Sequence, residues 1–170
     1  MGYMKRVIIL RGNSGSGKTT VARILQEKLG RKTMLLSQDT LRREILHVRE
    51  NTKHPTAELA QQMARFGWSR GFDTVVIEGI WGAEKNGQAL VELIGEVDYS
   101  MVYYFDLPFE ETLRRHTLKP NAHDFGEKEM REWWKEKDVL GVEGEQIIDE
   151  TYTKEAIVEK ILGDIAIIEK

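Results

Sequence analysis

The run Gly12-Asn13-Ser14-Gly15-Ser16-Gly17-Lys18-Thr19 satisfies the spacing G-x-x-x-x-G-K-[ST] in full, and Thr20 follows it. Glycines at these positions let the backbone wrap an anion with its N–H groups turned inward, and a helix beginning near Lys18 adds its positive end. In this arrangement Lys18 reaches the β and γ phosphates of a nucleotide and the Thr19 hydroxyl ligates magnesium. The chemistry expected of residues 12–20 is therefore binding of ATP with Mg2+.

Two carboxylates fall where such chemistry would use them. Asp39, in Leu36-Ser37-Gln38-Asp39, lies just past an apolar strand, at the edge where open α/β sheets hold ligands. It can orient an acceptor hydroxyl and take its proton late in transfer, or it can cap a helix beginning at Thr40. Glu78 ends the strand Val75-Val76-Ile77 and can hold magnesium through the ion's water shell, although Asp is the commoner residue in that role. Asp106 occupies a similar strand end, where Asp-Leu-Pro also reads as a turn.

Basic residues form two groups. Arg114 and Arg115 close a helix ahead of a polar stretch, with Lys119, Arg131 and Lys135 beyond them. Carried on a lid, such a pair would neutralise charge on a transferring phosphoryl group. Arg42 and Arg43 follow Asp39 by three and four residues, so at least one shares its helix face and could meet an anionic acceptor. The cluster Arg42, Arg43, Arg49, Lys53, Arg65 and Arg70 could track a nucleic-acid strand. Trp68, Trp81, Trp133 and Trp134 could stack on bases, but aromatics at helical spacing more often belong to a core.

The elements that must position these groups alternate along the chain. Continuous β-favouring apolar runs at 6–11, 73–78 and 99–106 read as strands buried on both faces, as in a parallel sheet, and 33–37 and the short 146–149 read as further strands. Between them, helical periodicity predicts a helix after Lys18 ending at Gly30, two helices over 39–50 and 55–70, one around Ala89 to Ile94, and one from Pro108 to about His116. Further helices are expected over 127–137 and 154–168.

The glycine spacing of residues 12–19 and this order of elements resemble the small P-loop kinases, a group that includes nucleoside, shikimate and gluconate kinases, zeta-toxin-like kinases and polynucleotide 5′-hydroxyl kinases. Asp106-Leu107-Pro108-Phe109-Glu110-Glu111-Thr112-Leu113-Arg114-Arg115-His116 resembles the strand and arginine-bearing helix that lead into their lid. The resemblance implies a three-layer α/β/α fold with a five-stranded parallel sheet. It implies one kinase domain over residues 1–170, with a helical substrate-binding insert at 39–72 and a lid at 114–137.

Composition excludes several other classes. Cysteine is absent, which removes disulfides, thiolate metal sites and cysteine nucleophiles, and the four histidines have no metal-binding spacing. A net charge of -3 argues against a broad basic face for duplex nucleic acid. No apolar run is long enough to span a membrane, and a cytoplasmic location is expected. The activity expected is transfer of the γ-phosphate of ATP to a hydroxyl of a small molecule. The alternatives are a polynucleotide 5′-hydroxyl kinase acting on a single-strand end and a nucleotide-dependent regulatory module that hydrolyses ATP slowly.

Overall fold

The computed structural model describes residues 2–50, 52–120 and 122–170, so Met1, Asn51 and Asn121 of the segments considered above lie outside the described residues. Its centre is a parallel sheet of β1 (Arg6–Gly12), β2 (Thr33–Ser37), β3 (Thr74–Gly79), β4 (Tyr99–Phe105) and β5 (Gln146–Ile148), in the order β2-β3-β1-β4-β5. Alternate side chains of β1 enter opposite layers, as a pleated strand requires. Ile8 and Leu10 pack toward α1 (Lys18–Leu29) and α6 (Lys154–Ile168) with Val21, Leu25, Ile157 and Ile161. Val7 and Ile9 pack toward α2 (Thr56–Ser69) and α3 (Ala83–Gly95) with Ala60, Ala64, Trp68 and Leu90. This is the three-layer α/β/α arrangement of P-loop NTPases.

β1 and β3 are neighbours, yet the helix after β1 covers one face and the helix after β3 covers the other. Their carboxyl ends therefore diverge into a crevice, which is where open α/β sheets bind ligands. Two further helices, α4 (Phe109–Thr117) and α5 (Glu127–Trp133), close over this end.

Two helices are shorter than the sequence predicts. In place of a helix over 39–50 the chain makes a single wide π-type turn, Thr40–Ile45, with Leu46 N–H donating to Leu41 O and Val48 N–H to Arg42 O. It ends where His47 turns to the left-handed region at φ 54°. The helix predicted over 127–137 stops at Trp133, because Trp134 becomes extended and the backbone of Lys135 is bonded instead to the side chain of Asn13. Neither stop carries a glycine or proline that sequence could register. No described helix is long and apolar enough to cross a membrane.

Candidate active site

The loop between β1 and α1 curls around an anion-sized space. Gly15 has φ 82°, and a Cβ there would run into the Thr112 carbonyl of α4, so conformation and packing both require glycine. Inside the loop the Lys18 ammonium donates to Asn13 O at 2.8 Å and to Ser16 Oγ at 3.1 Å. Burial pulls its pKa down from 10.5 to about 8, with Glu78 acting in the opposite direction. A cation held this dry gains more from a phosphate than it would in water.

Glu78, at the end of β3, is buried, and its Oε1 accepts from the Thr19 hydroxyl at 3.1 Å. Its backbone is fixed by Trp81, whose indole N–H donates to Glu78 O at 2.9 Å. Trp81 is fully buried at a positive φ of 38°, a strained conformation for a side chain of this size. It is held from two sides: its N–H donates to Gln38 Oε1, and its carbonyl accepts from Arg11 Nε. Trp81 thus ties the carboxyl ends of β1, β2 and β3 together and is structural rather than free for base stacking.

Arg11, itself fully buried on β1, places Nη2 3.0 Å from Asp138 Oδ2 and Nη1 4.0 Å from Glu145, with its carbon centre 5.7 Å from the Tyr104 ring. The same Asp138 oxygen accepts from Ala83 N–H at the start of α3. Asn13 adds a second tie, donating to Lys135 O at 2.7 Å and accepting from Lys135 N–H at 3.0 Å. The segment after the lid is thereby fastened to the phosphate loop and to α3. Arg11, Asn13 and Asp138 in these structural roles were not legible in sequence, because each acts through a partner about 70 to 130 positions away.

Asp39 does not cap the turn that follows it: its backbone is already helical, its side chain makes no capping hydrogen bond, and it is 70% exposed. The carboxylate lies 3.7 Å from Arg42 and 3.8 Å from Arg43. Arg42 is buried and otherwise committed, to Glu50 at 2.6 Å and to Val48 O at 3.2 Å. Arg43 lies over the Phe125 ring at 5.8 Å. Of the basic cluster suggested by the sequence, Arg42, Arg43 and Arg49 line one hollow, while Arg65 is engaged in a two-pronged pair with Glu96 and Arg70 covers Phe66.

The two lid arginines separate. Arg115 donates from Nη1 to Ser16 O at 3.2 Å and from Nε to Glu111 at 2.8 Å, so it touches the phosphate loop. Arg114 is 61% exposed and also pairs with Glu111. Hydrogen bonds from both guanidinium groups hold the Glu111 carboxyl down at about 2. The lid residue that enters the crevice is Lys119, whose burial lowers its pKa while Asp39 and Glu78 pull it up. A polar stretch with one lysine carries no sequence signal for this. The lid itself is held by His116, which donates from Nε2 to Phe125 O at 2.7 Å and stacks on Phe125 at 4.4 Å, and by Phe125 against Trp133 at 5.0 Å.

Two cavities result. A small one of about 50 Å³ is bounded by Ser14, Lys18, Thr19, Glu78 and Lys119. A larger cleft of about 170 Å³ lies between Arg42 and Arg43, the first turn of α3, and Phe125, Trp133 and Lys135 of the lid side. Asp39 and Ser14 line both. The oxygen pair of Thr19 and Glu78 suits a hard cation such as magnesium, which binds few protein ligands and keeps phosphate and water oxygens.

Comparison with known proteins agrees with this architecture. The structure is similar to APS kinase from Mycobacterium tuberculosis in complex with AMPPNP and APS, with TM-score 0.65, 16% identity and 99% of each chain covered. It is similar to a gluconokinase from Sinorhizobium meliloti 1021, with TM-score 0.66, 16% identity and 98% of this chain and 94% of that one covered. It is also similar to shikimate kinase from Acinetobacter baumannii in complex with shikimate, with TM-score 0.59, 20% identity and 96% and 93% covered. At these identities the likeness is one of fold. No curated protein matches the sequence. The family model described as AAA domain matches residues 7–140, which include the phosphate loop, Asp39, Glu78 and the lid, and the chain belongs to that family.

Proposed function

We propose that the protein is an ATP- and magnesium-dependent phosphotransferase that moves the γ-phosphate of ATP to a hydroxyl of a small molecule. The observation that carries this reading is the position of Asp39 on the boundary between the small cavity, which holds Lys18, Thr19, Glu78 and Lys119, and the larger cleft. A phosphoryl group in the first and a hydroxyl in the second would meet at that carboxylate. The small-substrate kinases with this fold are consistent with the reading.

In this mechanism the loop from Gly12 to Thr20 holds the phosphates, and Thr19 and Glu78 are the residues that would hold magnesium. The bound ion would draw charge from the β and γ oxygens. Asp39 orients the acceptor hydroxyl toward the γ phosphorus and takes its proton as the new P–O bond forms and the bond to the β–γ bridging oxygen breaks, releasing ADP. Lys18 and Lys119 both line the small cavity and would offer their ammonium groups to the transferring phosphoryl group, and Arg115 braces the loop at Ser16. Arg42 and Arg43 orient Asp39 from the acceptor side.

The test is a screen of hydroxyl acceptors read by transfer of labelled γ-phosphate. One class of acceptor should raise ATP turnover at least about tenfold over acceptor-free hydrolysis, a modest part of what oriented transfer supplies. Turnover that no hydroxyl compound stimulates would overturn the kinase reading in favour of a nucleotide-dependent module.

A further inference from the structure

The larger cleft carries a charge pattern at odds with the chain around it. The protein has a net charge of -3, yet four cations, Arg42, Arg43, Lys85 and Lys135, line the cleft against two carboxylates, Asp39 and Glu50. The two arginines do not supply the excess, because Arg42 is paired with Glu50 and both arginines sit beside Asp39. What remains is Lys85, on the first turn of α3, and Lys135, neither of which forms an ion pair among the described residues.

Lys135 is held in place. Its backbone N–H and C=O are both engaged by the Asn13 side chain, and its ammonium lies against Gly82, where even a Cβ would come within 2.9 Å of Nζ. The Asp138 carboxylate near it at Gly82 is already shared by Arg11 and by Ala83 N–H, so an anion entering the cleft would meet two ammonium groups that have no ion-pair partner within 4 Å among the described residues. Trp133, packed edge-on against Phe125, also lines the cleft and offers an aromatic surface suited to the C–H face of a ring, whereas the Phe125 ring is already engaged by His116 and Arg43. The cleft, about 170 Å³, shares Arg42, Arg43, Glu50, Phe125 and Trp133 with an adjoining hollow of about 770 Å³, so the part beside the lysines suits a single ring while the rest of an acceptor could extend outward.

We propose that Lys85 and Lys135 form the anion subsite of the acceptor cleft, and that the acceptor is a hydroxylated, sugar-sized molecule bearing a phosphate or carboxylate. Its ring lies against Trp133, its anionic group reaches the two lysines, and a hydroxyl faces Asp39. The proposal rests on the reading of this cleft as the acceptor site.

The experiment is calorimetric titration of the full chain, with and without saturating AMP-PNP and magnesium, using four probes built on one ring: glucose 6-phosphate, glucuronate, glucose and glucosamine. At least one of the two anionic sugars should bind about tenfold or more tightly than glucose, and glucosamine should bind no better than glucose. The phosphate and carboxylate arms distinguish the two anions. Lys85→Ala/Lys135→Ala should erase the preference while keeping AMP-PNP affinity and thermal stability, because the tie to Asn13 uses only the Lys135 backbone. Equal binding of all four sugars by the unaltered protein, or a preference that survives the double substitution, overturns the subsite. Failure of AMP-PNP to bind would instead strike the phosphotransferase reading, and the nucleotide-free titrations still judge the lysines.

Discussion

The Thr19 hydroxyl donates to Glu78 Oε1 at 3.1 Å, joining the first turn of α1 to the end of β3 across the crevice. Residues 59 positions apart thus form one oxygen pair at the mouth of the phosphate loop. Glu78→Gln retains a hydrogen-bonding oxygen for Thr19 but loses the charge that would hold magnesium. Labelled phosphate transfer should fall by about a hundredfold or more, on the order of losing one preorganised electrostatic partner. Transfer within threefold of the unaltered protein would show that Glu78 is only a strand-end carboxylate.

Lys18→Met should lower transfer by at least about two orders of magnitude and leave the fold intact. It also has a stability signature. The folded pKa of Lys18 is about 8, below its ordinary 10.5, chiefly because of burial. Between those values the unfolded chain binds more protons, so stability should rise with pH across roughly pH 8 to 10.5, by on the order of 3 kcal/mol at about 1.36 kcal/mol per unit. Lys18→Met should therefore be more stable than the unaltered protein at pH 7.5, with the gap narrowing by pH 9.5. Urea midpoints at the two pH values check it, and a gap that does not change with pH contradicts the dry ammonium.

Arg115 and Arg114 should differ in their effects. Arg115→Ala removes the bond to Ser16 O and should reduce kcat by about tenfold, with a smaller change in ATP affinity. Arg114→Ala, on an exposed side chain, should leave kcat within about twofold. Equal losses from the two substitutions would return them to a common role in the lid.

Asp39→Asn tests the acceptor side. The native side chain makes no capping bond and is mostly exposed, so thermal stability and ATP affinity should hold. Transfer should drop by about a hundredfold or more if the carboxylate orients the hydroxyl and accepts its proton. Retained transfer would move the base elsewhere in the crevice.

Asp138→Ala probes the fastening of the lid segment. It leaves the buried Arg11 guanidinium without its 3.0 Å partner and removes the acceptor of Ala83 N–H. A broken buried pair costs about 3 kcal/mol or more, which for a chain of this length lowers Tm by roughly 6 to 12 °C. A Tm shift under about 2 °C would show that Glu145 and Trp81 O alone satisfy Arg11.

The sequence by itself determined the layers and the phosphate loop. Apolar runs such as Arg6 to Arg11 and Thr74 to Ile77 can satisfy their backbone and bury both faces only in the interior of a sheet, and residues 12–19 form a site from consecutive positions. Local chemistry suffices for such features. Tertiary structure decided what depends on distant partners. It set Asp39 between two cavities, sent Lys119 rather than Arg114 into the crevice, and stopped two helices early by left-handed His47 and by the grip of Asn13 on Lys135. For Lys119 and for the stop at Trp133 the deciding energy is a desolvated charge or a hydrogen bond formed with a residue far along the chain. No periodicity or spacing reports such a partner, and only the closing of the sheet and lid brings it within reach.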